Sequence, residues 1–185
     1  CGWMMWNWLV SGLLLKSTIY LYDGSPFYPN SEVLWNFVDC EKINFMGVSA
    51  KYVDVLSKEN LNIIDKYKLK NLKTIGSTGS PLIHESFDYI YTNVKKDVSV
   101  ASLSGGTDIV GCFIGGNPLS EVRRGEIQGP ILGMDVHVYD DKANSLKNEK
   151  GELVCIKSFP SMPLFFWNDN NNEKYYDAYF NKYEN

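Results

Sequence analysis

Two glycine-bearing stretches of this chain hold the residue types that nucleotide chemistry uses. In Ser102-Leu103-Ser104-Gly105-Gly106-Thr107-Asp108, two glycines, a hydroxyl and a carboxylate follow directly on a short apolar run. The Thr107 hydroxyl can donate to a phosphate oxygen, and the Asp108 carboxylate can hold the hard cation that accompanies ATP. In Gly76-Ser77-Thr78-Gly79-Ser80-Pro81 two positions lack a side chain, which lets backbone N–H and C=O groups approach the flat edge of a purine. An ordinary strand-to-helix turn with Pro81 at the first helical position is the simpler local explanation of this second stretch. Neither matches G-x-x-x-x-G-K-[ST] or G-x-G-x-x-G, so each alone is a weak signal.

The elements expected around these stretches place both at one edge of a sheet. Apolar runs at residues 17–22, 44–48, 72–75 and 98–103 predict strands, and helices are expected near residues 31–38, 50–56 and 83–94. Ser31 is the expected N-cap of the first of these, whose apolar face is Val33, Leu34, Phe37 and Val38. Such alternation predicts an α/β fold, a mostly parallel sheet with helices on both faces up to about residue 115. Ligands of open α/β sheets bind at the carboxyl edge, where both glycine stretches would lie. The β-rich runs at 125–139 and 151–157, split by the polar turn 140–150, predict a small β subdomain. The division expected is thus 1–118 for the α/β portion and 119–185 for the start of the β-rich part. A loop and a short helix are expected in the tail, which is rich in Asn and Tyr.

Composition excludes several function classes. With 44% hydrophobic and 22% charged residues the chain can bury a core, and its formal charge of −4 gives no broad basic surface for nucleic acid. Cys1, Cys40, Cys112 and Cys155 stand singly, which argues against a zinc site or a disulfide framework and predicts buried, reduced thiols in a cytoplasmic protein. The apolar opening, residues 2–15, is too short to span a bilayer, so no membrane insertion is expected. Its Trp, Met and Leu residues leave hardly any polar stripe, which predicts a helix covered on all sides. His84 and His137 lack partners at ligand spacing. Arg123 and Arg124 are expected at a solvated strand end, and Glu126 and Glu152 in turn and edge roles.

Order and spacing carry more than any single motif. The chain resembles the adenylate-forming acid-CoA ligases over essentially all its residues, and most closely their acetoacetate-using branch. The resemblance rests on Gly2-Trp3-Met4-Met5-Trp6-Asn7-Trp8, Leu21-Tyr22-Asp23-Gly24-Ser25-Pro26, Gly76-Ser77-Thr78-Gly79-Ser80-Pro81-Leu82 and Ser104-Gly105-Gly106-Thr107-Asp108-Ile109. Arg124-Gly125-Glu126-Ile127-Gln128 and Gly151-Glu152-Leu153-Val154 through Pro160-Ser161-Met162-Pro163 complete it.

The resemblance implies ATP-dependent conversion of acetoacetate and CoA to acetoacetyl-CoA, AMP and pyrophosphate. It sets Gly79, Ser80 and Pro81 against adenine and makes Ser102, Leu103, Ser104, Gly105, Gly106 and Thr107 the lining of the ATP site. Thr107 would contact the α-phosphate and Asp108 would hold Mg2+, the two forming the catalytic pair. Trp3, Met4 and Met5 would lie at the acyl and CoA pocket. Many relatives carry Glu in place of Asp108, and aromatic or Gln residues in place of Gly105 and Gly106, a departure that fits a larger acid than acetate.

The family's phosphate loop is expected ahead of Cys1, and its Trp-x-His-Gly-Asp segment and C-terminal lid with the adenylation lysine beyond Asn185. The chain is therefore expected to be a portion of a longer protein, to have the remainder of that protein as its partner, and to lack activity alone. The alternatives are a ligase for acetate or propionate and a non-catalytic nucleotide-binding remnant.

Overall fold

A computed structural model of the chain describes residues 8–183. Trp3, Met4 and Met5 lie outside the described residues, as do residues 2–7 of the expected first helix. Its described end, α1 (Trp8–Gly12), runs into a 3-10 turn over Leu13–Leu15, closed by Lys16 in the left-handed region. Leu14 and Leu15 are 86% and 81% exposed, so this end is not covered on all sides as its composition predicts. Residues 17–22 form no ladder and are not a strand; the Tyr20 hydroxyl donates to Glu41 O at 3.3 Å.

The central sheet is parallel, in the order β1 (Phe45–Ser49), β2 (Thr74–Thr78), β3 (Ser99–Ser102). Helix α2 (Val33–Cys40) precedes β1 and buries Trp35 and Val38. Ser31 does not cap it. The Asn30 side chain instead accepts the Glu32 N–H at 3.0 Å, before the helix begins. Helix α3 (Ala50–Lys58) follows β1 directly, with the Ser49 hydroxyl accepting the Tyr52 N–H at 3.2 Å. This contact satisfies one of the donors that a helix start leaves unpaired. The α3 residues Ala50, Tyr52, Val53 and Leu56 recur at helical spacing and form one buried face.

Helix α4 (His84–Tyr89) widens into a π-helical turn over Ile90–Val94, and together they bury Phe87, Tyr89, Ile90 and Val94. These side chains join Met46, Ile75, Val100 and the α3 face in a single core. Ile63 and Leu69, within the polar connection after α3, are also fully buried. The parallel arrangement ends sooner than alternation predicts. From Ser104 the chain forms an antiparallel sheet of β4 (Ser104–Gly106), β5 (Gly111–Gly115) and β6 (Gly129–Pro130). A third sheet pairs β7 (Val136–Tyr139) antiparallel to β8 (Glu152–Cys155), and α5 (Glu173–Tyr179) closes the tail.

Candidate nucleotide-facing site

Strand β2 is longer than its apolar residues indicate, and this decides where the first glycine stretch sits. Gly76, Ser77 and Thr78 belong to the strand, in register with Gly47, Val48 and Ser49 on one side; Gly76 and Ser77 face Ala101 and Ser102 on the other. A Cβ on Gly76 would come within 2.6 Å of the Phe45 ring, so a side chain there would force that ring to shift. The exposed turn is Gly79-Ser80-Pro81, with Gly79 at φ 90, a conformation that L side chains rarely adopt. Leu82 is buried beyond it, and α4 begins only at His84, so Pro81 is not the first helical residue.

The second stretch starts from the adjacent strand at the same level. Ser102 ends β3 and is buried, directly paired with Ser77. The Leu103 N–H donates to Ser77 O at 2.8 Å, and the Thr78 hydroxyl donates to Leu103 O at 3.1 Å. The two glycine stretches are thus tied together where they leave the sheet, at the carboxyl ends of neighbouring parallel strands. Among the described residues no hydrogen bond joins Gly79, Ser80 or Pro81 to Thr107 or Asp108.

After Leu103 the chain is a β-hairpin rather than a loop. Gly105 pairs with Cys112 and Gly106 with Gly111, and the turn 107–110 closes with the Val110 N–H donating to Thr107 O at 3.2 Å. Thr107 and Asp108 therefore stand exposed at the hairpin tip, while Ile109 is buried beneath them. The two glycines differ. A Cβ on Gly105 would meet Gly111 O at 2.0 Å, whereas one on Gly106 would meet nothing within 4 Å.

One residue of this site escapes sequence reasoning. The Tyr179 hydroxyl, 71 positions away, donates to Asp108 Oδ2. Tyr179 ends α5, whose first turn is held by Asp169 accepting the Lys174 N–H at 3.2 Å and the Tyr175 N–H at 2.9 Å. The rings of Phe166 and Tyr175 stand 5.7 and 5.5 Å from the Tyr179 ring in edge contacts. Partial burial, with the Asp108 hydrogen bond and charge, pushes the Tyr179 phenol up to about 12, so it is a neutral donor near pH 7. The aromatic tail is visible in the sequence, but no spacing rule connects it to Asp108.

Other polar residues have structural partners. Arg124 pairs with Asp88 at 2.8 Å and Arg123 with Glu121, while the His84 ring packs against Gly125. Glu152 accepts from Lys182 at 2.5 Å. His137 contacts Asp135 at 3.0 Å, and Lys157 contacts the same carboxylate at 2.8 Å. Burial of the cysteines is not general, since Cys40 is exposed and Cys112 and Cys155 are partly so. Among the described residues no helix is long and apolar enough to cross a membrane.

The donor set at the hairpin tip, a hydroxyl and a carboxylate, is of hard oxygen type. Mg2+ commonly takes only one or two carboxylates from a protein and completes its shell with substrate phosphates and water, so a single Asp fits it. No group of three or more His, Cys, Asp or Glu side chains among the described residues could hold a metal by itself.

No family model matches the chain. It is 51% identical over all its 185 residues to the acetoacetyl-coenzyme A synthetase of Rhizobium meliloti (strain 1021), of which it covers 28%. Across 182 residues it is 47% identical to the acetoacetyl-CoA synthetase of Gallus gallus, covering 27% of that protein. Among solved structures, the acetoacetyl-CoA synthetase from Streptomyces lividans superposes with a TM-score of 0.91 at 40% identity, over 98% of this chain and 28% of that one. The anthranilate CoA ligase AuaEII, solved with anthranoyl-AMP, superposes with a TM-score of 0.69 at 17% identity over 87% of this chain and 29% of its own, a likeness of fold alone. The chain thus spans between a quarter and a third of the length of the relatives it matches.

Proposed function

We propose that this chain, whose homologues are acetoacetyl-CoA synthetases, forms the nucleotide-facing edge of an acid-thiol ligase that activates acetoacetate. The observation that carries this reading is the tie between the two glycine stretches. Ser77 and Ser102 pair across parallel strands, and Leu103 bonds back to both Ser77 and Thr78 at the carboxyl edge. That edge is where α/β sheets bind ligands, and here it lies in a stretch similar over its whole length to synthetases of one named activity.

The chemistry has two steps. An acetoacetate carboxylate oxygen attacks the α-phosphorus of ATP, the bond to the β-phosphate bridging oxygen breaks, and pyrophosphate leaves with that electron pair. The CoA thiol then adds to the carbonyl carbon of the acyl-adenylate, loses its proton, and displaces AMP. The first step needs no general base, because the nucleophile is already an anion; it needs alignment and a cover of positive or donor groups over the phosphates. In this reading Gly79, Ser80 and Pro81 line adenine through their backbone, and Thr107 donates its hydroxyl to the α-phosphate. Ser102, Leu103, Ser104, Gly105 and Gly106 shape the wall between them. Asp108 holds Mg2+, which when bound neutralises phosphate charge. Trp3, Met4 and Met5 contribute to the acyl and CoA pocket, and the enzyme works in the cytoplasm.

The test is a chimera in which this chain replaces the matching stretch of the Rhizobium meliloti synthetase, assayed by ATP–pyrophosphate exchange with acetoacetate, acetate and propionate. Acetoacetate-dependent exchange is expected, with a fall in kcat/KM on Thr107→Ala and Asp108→Ala. Exchange with acetate but not acetoacetate replaces the substrate assignment. ATP binding without exchange on any acid would leave only a nucleotide-binding remnant. The 185-residue chain by itself is expected to form no acetoacetyl-CoA.

A further inference from the structure

We infer that Tyr179 is a positioning residue for Asp108, fixing one carboxylate oxygen by a hydrogen bond so that the other is left to the cation accompanying ATP. This rests on the reading of Asp108 proposed above. Asp108 stands exposed on a hairpin tip. The one hydrogen bond to its side chain among the described residues comes from Tyr179, to Oδ2. A carboxylate has roughly four acceptor positions, so a phenol on one oxygen does not exhaust it. Carboxylates that ligate metals are commonly held this way by an outer donor, which fixes their orientation.

The donor itself is held from behind. Phe166, Tyr175 and Tyr179 form a mutual edge-to-face cluster, and Phe180 adds a fourth ring 5.5 Å from Tyr175. Tyr175 is buried and donates its hydroxyl to Pro163 O, fastening α5 to the preceding segment. Asp169 fastens the same helix at its first turn through two backbone N–H groups. The phenol therefore reaches Asp108 from a packed element and not from a free side chain. A phenol that only filled space would need its ring and not its hydroxyl, and Tyr179→Phe separates the two.

The experiment uses the chimera described above, unsubstituted and as Tyr179→Phe, Asp108→Asn and the double variant. Mn2+ binding in the presence of ATP is followed by electron paramagnetic resonance, alongside KM for Mg2+·ATP, kcat in the exchange assay, and the thermal midpoint. Tyr179→Phe is expected to weaken Mn2+ binding and raise KM for Mg2+·ATP by about 10-fold, the low end for an outer-shell partner, with kcat and thermal midpoint unchanged. The effect is expected to vanish when Asp108 is already Asn, because Tyr179 acts through it. Unchanged or tighter Mn2+ binding overturns the inference. So does a lowered midpoint with KM untouched, or an undiminished effect in the Asp108→Asn background. An unsubstituted chimera that binds Mn2+·ATP but exchanges no pyrophosphate sinks the activity proposal, while the Tyr179 comparison by resonance still decides the role of that hydroxyl.

Discussion

At the residue scale, the two glycines of the hairpin are present for different reasons. Gly105 lies against the backbone of the strand beside it, where a Cβ would sit 2.0 Å from Gly111 O. Gly105→Ala should therefore push β4 away from β5 and destabilise the chain by about 1–3 kcal/mol, the range for overpacked sites, as read from urea unfolding. Gly106→Ala meets no atom within 4 Å and should change the same unfolding free energy by less than about 1 kcal/mol. The absent side chain at Gly105 thus satisfies a packing requirement whatever the substrate, whereas a Cβ at Gly106 would meet nothing within 4 Å. A second residue-scale prediction concerns Asp135, whose carboxyl is held below its usual range by hydrogen bonds from Lys157 and then His137. A depressed folded pKa gives stability that is present above the unfolded carboxylate range and lost as pH falls through the folded value. Asp135→Asn should accordingly lower stability in the neutral region and leave it nearly unchanged at the acid end, so that the profile flattens, as followed by thermal melts between about pH 3 and 7.

At the element scale, position depends on how each strand hands over to its successor in the chain. Strand β1 passes into α3 with no intervening loop, and Ser49 serves as both the last strand residue and the helix cap. Ser49→Ala should cost about 1 kcal/mol, measured by chemical denaturation, with Ser49→Asp restoring most of it. Strand β3 hands over differently, passing through Leu103 into the hairpin, and the Leu103 bonds to Ser77 and Thr78 lock that exit to the neighbouring strand. The same logic explains the length of β2. Ser77 and Thr78 carry no apolar signal, yet Ser77 is paired on both sides and fully buried, its hydroxyl without a hydrogen-bond partner among the described residues.

At the scale of the whole molecule, several large apolar side chains stand exposed to solvent. Leu14, Leu15, Leu132 and Trp167 are all over 80% exposed. A cavity of about 740 Å³ beside β1 is lined by Leu15, Ile19, Tyr20, Tyr22, Phe37 and Phe45, among others. Contiguous apolar surface of this kind marks a place where other protein surface packs. The isolated chain should bind an apolar fluorescent dye in its folded state, and Leu15→Lys, on the groove wall, should weaken that signal more than Leu132→Lys, which lies outside it. Equal loss from both substitutions would mean the groove is not the binding place.

The sequence by itself determined the order of elements from α2 to β3, the α/β class, the helical tail and the identity of the two glycine stretches, because these depend on apolar periodicity and turn chemistry, which are local. The lower edge of that legibility is visible at residues 17–22, where a β-like run forms no ladder, and at Ser31, where Asn30 is the residue that meets the chain before α2. Tertiary structure alone decided that Ser77 and Ser102 are neighbours, that Thr107 and Asp108 stand on a hairpin tip, and that Tyr179 reaches Asp108. Each of these depends on contacts between segments far apart in the chain. Their energies come from pairing and packing that no window of residues contains, so the site was readable as two separate stretches and became one only in the fold.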